Sequence, residues 1–227
     1  MKRFIWIGIL YLSFMACATA QKNSNIRISR DSQRWCRIGK NNDTVSYLCN
    51  QEIRVSDYSF FLYMMGKEHG KNSEKYRSLL PDTASFLSRY HFRFTYMESC
   101  TYSMNRLQES LPMTCITYEQ ANAYCGWRES VSKKYRRYTF HYSIPNKTDY
   151  ESALKHAKVT RFPPLSNLNL SKCNRKIYGL TDNVPEYLMN GDSAVCGNPK
   201  GELSFEPTSP TETGIGFRYK VEKIKIK

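Results

Sequence analysis

The chain has 227 residues, 41% of them hydrophobic, with 34 basic against 20 acidic residues, a size that suits one globular domain with a sizeable core. Its formal charge of +14 would fit an acidic polymer, a phospholipid surface or nucleic acid. The basic residues are nevertheless scattered, apart from Lys133 to Arg137 and the Lys220 to Lys227 tail, as on an ordinary solvated surface. The four histidines, at 69, 91, 141 and 156, have no cysteine at zinc-ligand spacing, and no C-x-x-C pair occurs, a pattern that speaks against a structural zinc site.

Lys2 and Arg3 precede the apolar run Phe4 to Ala16, and Ala18-Thr19-Ala20 before Gln21 satisfies the small-x-small cleavage rule, so residues 1–20 read as an export signal. The run is shorter than the about 20 apolar residues a membrane anchor needs, and no later run reaches that length. A second cut also fits: Phe14-Met15-Ala16-Cys17 is an imperfect match to the bacterial lipoprotein site, whose cysteine is acylated, which makes Cys17 a candidate lipidation site and membrane attachment point. The A-x-A match argues for release and the position of Cys17 for a lipid. Phe14 and Met15 suit the lipoprotein site poorly, and the balance leans to export as a periplasmic or outer-membrane-associated protein. For an exported chain, nucleic acid drops out as a partner. Eight cysteines, at 17, 36, 49, 100, 115, 125, 173 and 196, are acceptable in that compartment. Losing Cys17 leaves seven, so at least one thiol has no partner within the monomer.

Gln21 to Asn50 is polar and irregular, anchored by Trp35 and Cys36, and reads as a lead-in arm (21–50) to a domain covering 51–227. In Glu52 to Met65, Ser56 can cap a helix whose Tyr58, Phe61, Leu62 and Met65 recur at i, i+3, i+4 and i+7, with Gly66 and Gly70 ending it. A short helix through Glu74 to Leu80 and a turn at Pro81-Asp82-Thr83 follow. Ser85 to Ser103 alternates Phe86, Tyr90, Phe92, Phe94 and Tyr96 in part and favours strands. In Leu111 to Val131, Thr117 and Gln120 form a capping box, and Ala121, Tyr124, Cys125 and Val131 recur at helical spacing. On that face Tyr124 is expected to be buried and Trp127 to lie beside it at the rim, with Glu119 and Arg128 elsewhere. Cys115, in an expected strand, and Cys125 read as inert buried thiols.

Tyr138 to Ile144 alternates as a strand that Pro145 stops. Asn146 with Asp149, or Thr148 with Glu151, caps a helix burying Tyr150, Ala153, Leu154 and Ala157. Pro163 and Pro164 lead into loop. Tyr178 to Leu188 carries a turn at Asp182-Asn183, Met189 to Thr213 is mostly irregular, and Gly214 to Val221 makes a closing strand.

Taken in order, five blocks resemble the formylglycine-generating enzyme, or sulfatase-modifying factor, family. Glu52 to Leu62 resembles E-V-T-N-x-x-Y-x-x-F, and Pro112 to Trp127 resembles P-V-x-x-V-S-W-x-x-A-x-x-Y-C-x-W. Ile144-Pro145-Asn146 with Tyr150, Glu151 and Ala153 is similar to L-P-T-E-A-E-W-E-Y-A. Gly179 to Tyr187 is similar to G-L-Y-D-M-x-G-N-V-W-E-W, and Gly216-Phe217-Arg218 to the terminal G-F-R. Tyr76-Arg77 to Leu80-Pro81-Asp82-Thr83 resembles the Bacteroidota envelope lipoprotein branch connected with gliding motility and type IX secretion. The resemblance implies a compact α+β, C-type-lectin-like fold with few helices, short strands and much irregular chain. It also implies a core arginine at 218 that must pair, with Asp182 and Glu186 as candidate partners.

The departures carry the functional expectation. Catalytic members of the family hold copper(I) between two cysteines lying between W-E-W and G-F-R. Here that interval, Leu188 to Ile215, contains Cys196 alone, and the preceding R-G-G-S block is missing. One soft ligand does not make the two-thiolate site, so copper is not expected and Cys196 is left as the single weak catalytic candidate. The family's calcium loop is shortened between Asp182 and Asn183, leaving Asp182, Asn183 and Glu186 as candidate oxygen ligands for calcium, set against a plain structural turn. The expectation is a non-catalytic exported envelope module binding a protein or glycan. The alternative is a formylglycine-generating oxidase with a site rebuilt around Cys196.

Overall fold

The computed structural model describes residues 35–98, 110–132, 137–156, 158–160, 176–181, 183–197, 202–209 and 214–226. The expected signal segment with Cys17, the loop at Pro163 and Pro164, Lys133 and Lys134, and Asp182 lie outside the described residues. What is described is mixed α+β with antiparallel main sheets. Strands β1 (Trp35–Asn41), β2 (Thr44–Cys49), β3 (Tyr138–Ser143) and β9 (Lys220–Lys225) form a four-stranded sheet in the order β1-β2-β9-β3. The closing strand β9 thus lies between the opening hairpin and the middle of the chain.

Alternation along these strands feeds two cores. Trp35, Tyr47, Phe140, Tyr142 and Val221 face the larger one, and Cys36, Ile38 and Leu48 the smaller one with Tyr150, Ile177 and Val195. Residues 35–49 are therefore no irregular arm: β1 and β2 form a hairpin turned at Asn42-Asp43, where Asn42 takes a φ of 39°. The polar Arg37, Lys40 and Asn41 obscure an apolar alternation that is present on both strands.

The larger core is built from α1 (Val55–His69) and α4 (Tyr118–Ser132), joined by α2 (Glu74–Arg77) and α3 (Thr83–Tyr90). Tyr58, Phe61, Leu62 and Met65 are all buried on α1. The helix begins before Ser56, however, with Arg54 at its cap and Arg54 Nε 3.1 Å from Asp57 Oδ2. Gly66 lies inside the helix against the Tyr76 ring, and Gly70 ends it at φ 82°. The segment read as strands after Pro81 starts instead as α3, because the Asp82 carboxylate accepts from the amides of Ala84 and Ser85. Phe86 and Tyr90 then fall at i and i+4 with ring centroids 4.8 Å apart, a helical spacing.

Thr117 and Gln120 cap α4 reciprocally, at 2.9 Å from the Thr117 amide to Gln120 Oε1 and 3.3 Å from the Gln120 amide to Thr117 Oγ1. Tyr124 is buried at 3% exposure, and Trp127 is buried with it at 8%. Trp127 is not at the rim because Phe60 and Phe61 of α1 cover it, at 6.1 and 5.3 Å. Arg128 is also buried, its guanidinium 5.7, 5.8 and 5.9 Å from the rings of Trp127, Tyr142 and Tyr219, where cation–π attraction offsets part of its desolvation. Cys115 is in a bend with φ 60° rather than a strand.

Asn146 and Asp149 exchange the reciprocal cap bonds at 2.9 Å each, starting α5 (Lys147–His156) with Tyr150 and Ala153 buried. Parallel strands β4 (Lys158–Thr160) and β5 (Lys176–Tyr178) follow. Strands β6 (Glu186–Tyr187), β7 (Ser193–Gly197) and β8 (Leu203–Pro207) then make a three-stranded sheet where irregular chain was expected. Ala194 and Val195 are buried there and Phe205 packs beside them, which polar turn residues on either side concealed. Ile215 to Tyr219 precede β9 and bond to three other segments instead of one neighbour: Gly216 to Pro185 and Tyr187, Phe217 to Ile53, and Tyr219 to Cys49. Among the described residues no helix is long and apolar enough to cross a membrane.

Gln120 does more than cap. Its Nε2 donates to the carbonyls of Ser78 (2.9 Å) and Leu80 (2.8 Å), tying the segment between α2 and α3 to the start of α4. Gln120→Ala removes these bonds together with half of the cap, and is expected to cost about 1–2 kcal/mol in urea denaturation. A midpoint equal to that of the wild type would show that the ties carry no net stability.

Candidate functional site

Two polar places stand out, one sealed and one open. The sealed one is centred on Arg218, which is 0% exposed. Its Nε donates to Glu186 Oε2 at 2.6 Å and its Nη2 to Glu186 Oε1. Nη1 and Nη2 also reach the carbonyls of Cys49 and Tyr178 at 3.2 Å each. Glu186 Oε2 accepts in addition from the Tyr150 hydroxyl at 2.8 Å. Glu52 lies with its Oε1 3.6 Å from Arg218 Nη2 and accepts from Asn183 Nδ2 at 2.8 Å. Gly179, at φ 69°, allows this approach, since a Cβ there would sit 2.6 Å from Glu52 Oε1.

One guanidinium faces two buried carboxylates here. Glu186 holds the bidentate bond, and with Glu52 it keeps Arg218 protonated against the effect of burial. Burial raises Glu52 well above the carboxylate range; Arg218 opposes the rise and Glu186 adds to it. Burial and the Glu186 charge likewise hold Tyr150 as the neutral phenol. Among the described residues, the side-chain polar atoms of Asn50 and Gln51, and Oε2 of Glu52, have no hydrogen-bond partner although buried. At this depth the cluster holds chain segments together.

Of the candidate calcium ligands, the cluster uses two: Glu186 directs both oxygens at Arg218 and Tyr150, and Asn183 presents its amide nitrogen to Glu52. Asp182 is outside the described residues. Among the described residues no group of three or more His, Cys, Asp and Glu side chains could hold a metal ion. Cys196 is half-buried on β7, and Cys115 sits at the bend before α4, its Sγ 3.6 Å from Thr114 Oγ1. Burial raises the thiols of Cys115 and Cys125, which leaves them protonated and weakly nucleophilic at neutral pH.

The open place is a cleft of about 730 Å³ at the N-terminus of α4. Leu80, Pro81 and Asp82 form one side, Cys115 to Gln120 the base, and Tyr187, Gly191, Asp192, Thr208 and Ser209 the other side. Local hydrogen bonds fix the last group. Thr208 Oγ1 donates to the Gly191 carbonyl at 2.7 Å, the Asn190 amide donates to Tyr118 Oη at 3.1 Å, and Tyr187 Oη donates to the Ile116 carbonyl at 2.9 Å. Gly191, at φ 75°, is required, because a Cβ would lie 2.5 Å from the Tyr118 ring. Sequence reasoning did not single out Tyr118, Gly191, Asp192, Thr208 or Ser209 as a site. The available signal was the Asn190-Gly191-Asp192 turn inside a stretch dismissed as irregular.

The chain matches no protein-family model, no curated protein and no solved structure.

Two outcomes are expected at the sealed cluster. Arg218→Ala strands the buried Glu186 carboxylate and should cost about 3–5 kcal/mol, seen as a lower melting temperature; an unchanged one would contradict the pairing. For Glu52, the folded chain keeps a proton that the unfolded chain loses above the ordinary value of 4.5, so the folded state binds more protons and stability falls as pH rises above that value. Glu52→Gln should flatten this decline in urea midpoints measured between about pH 5 and 8, whereas an identical slope in the variant would assign the proton elsewhere.

Proposed function

We propose that the chain is an exported, non-catalytic envelope module with a sulfatase-modifying-factor, C-type-lectin-like fold. Its open cleft binds a protein or glycan partner in the periplasm or at the outer membrane, in the manner of a gliding or secretion accessory. The observation that carries the family part of this reading is the convergence of the resembling blocks. Glu52, Tyr150, Asn183 with Glu186, and Arg218 come from four separate blocks and meet in one hydrogen-bonded cluster. Tyr124, from the fifth, packs edge-on against Phe217 at 5.5 Å. Motifs matched by chance in unrelated stretches would have no reason to share a site.

The binding part rests on the cleft, which is open, preshaped by short hydrogen bonds and lined by polar and aromatic groups. In this reading Cys196 is an ordinary half-buried cysteine, copper has no role, and Glu186 serves Arg218 rather than calcium. Incubation of the purified protein with copper(I), oxygen and a sulfatase-motif peptide is expected to leave the peptide cysteine unchanged by mass spectrometry. Its conversion to formylglycine would establish the oxidase alternative. Attachment is tested by growth with a radiolabelled fatty acid: if a known lipoprotein in the same cells takes up label and this protein does not, it is not anchored through Cys17. Label lost in Cys17→Ser would instead place a lipid on Cys17.

A further inference from the structure

The cleft carries the opposite charge to the chain around it. Asp82, Glu119 and Asp192 line it, and no lysine, arginine or histidine belongs to the described lining. With 34 basic residues in 227, a lining of this size would carry about two if charges were scattered evenly. Arg89, whose charge is felt at Cys115, stacks on the Tyr90 ring and borders Gly214.

Two of these carboxylates, Asp82 and Glu119, are favoured in their ionised form by local hydrogen bonds. Asp82 accepts from the Ser85 hydroxyl at 2.6 Å and from two amides, and Glu119 accepts from the Thr117 hydroxyl; both lie below the ordinary carboxylate range for that reason. Asp192 accepts from the Ser193 hydroxyl at 3.0 Å. Between these charges lie the apolar groups of Leu80, Pro81 and Ile116 and the rings of Tyr118 and Tyr187, beside the hydroxyls of Thr117, Thr208 and Ser209. Such a surface suits a long side chain whose aliphatic stem lies on the apolar groups while its cationic head meets carboxylates and aromatic faces. An uncharged sugar brings no cation to these charges.

We infer that the cleft binds an extended segment of a protein partner through a lysine or arginine side chain. The inference rests on the reading of the cleft as the binding site, and the test separates the two. Binding of the purified protein to random nonapeptide pools with the central residue fixed as Arg, Gln or Glu is measured by fluorescence polarisation. The Arg pool should bind about tenfold tighter than the Gln pool, and the Glu pool weakest. The double variant Glu119→Gln/Asp192→Asn, at two exposed positions, should reduce the Arg pool to the level of the Gln pool. Salt at about 0.5 M should do the same in the wild type, where no variant can misfold.

Equal affinity of the pools, no binding of any pool, or a preference that survives both the double variant and salt would overturn the inference. Ser209→Trp, which fills the cleft, distinguishes the failures. If it abolishes binding that the charge changes leave intact, the cleft binds without a cation and only the inference falls. If binding survives it, the cleft is not the site and the broader reading falls too.

Discussion

The ion pair between Arg218 and Glu186 is the constraint on which the rest of the fold depends. Six segments meet at it: the end of β2 through the Cys49 carbonyl, Glu52, Tyr150 of α5, the Tyr178 carbonyl of β5, Glu186 of β6, and the chain leading into β9. A buried pair of this kind adds little net stability over an apolar replacement, because desolvation consumes most of the Coulombic gain. Its effect lies in what it forbids. A guanidinium with fixed donor directions accepts one arrangement of these partners, and every alternative packing strands a charge in the core. Burial pushes the second carboxylate, Glu52, toward its protonated form against the pull of Arg218.

The aromatic core around Tyr58, Phe61, Tyr124, Trp127 and Phe217 works differently. It supplies area rather than direction: its ring pairs tolerate tilted, stacked and edge-on geometries alike, each adding modestly to burial. Phe217 and Arg218 are neighbours on an extended stretch. Successive residues there face opposite ways, so one side chain enters the aromatic core and the next enters the polar cluster. The closing segment thereby couples the helices on one side of the main sheet to the small strands on the other.

Much of this was legible in the sequence, and the missing parts have physical reasons. The caps of α4 and α5 are local contracts between residues three apart; the first read directly from Thr117-Gln120, and the second is the Asn146-Asp149 member of the two pairs the sequence offered. The burial of Tyr58, Phe61, Leu62 and Met65 followed from spacing alone. Trp127 was misplaced because the rim of a single helix is defined only by what covers it, and Phe60 comes from another helix. Arg128 was misplaced for a related reason: three rings from separate elements build its cage, and no periodicity encodes them. The hairpin at residues 35–49 and the antiparallel pair β7 and β8 were hidden by polar residues facing solvent between apolar ones, whereas the strand assigned after Pro81 failed because Asp82 can cap a helix as readily as it turns a chain. The partner of Arg218 was legible through the block carrying Glu186; the part played by Glu52 was not, since its distance from Arg218 in sequence gives no local signal.

The cleft and the sealed cluster are linked by β6, which is two residues long. Glu186 enters the cluster, and Tyr187 beside it faces the opposite way, toward the Ile116 carbonyl and the cleft. A slip of one residue in this strand would exchange the two, placing a tyrosine against Arg218 and a carboxylate at the cleft wall. The bond to Arg218 makes that exchange costly, because it would leave the guanidinium without its principal counter-charge in a buried site. The same bond therefore fixes the register of Tyr187, and through the short turn after it the position of Gly191 against Tyr118. The open cleft thus takes its shape from a buried charge pair beside it, and this is a physical reason for keeping a polar cluster where apolar packing would be at least as stable.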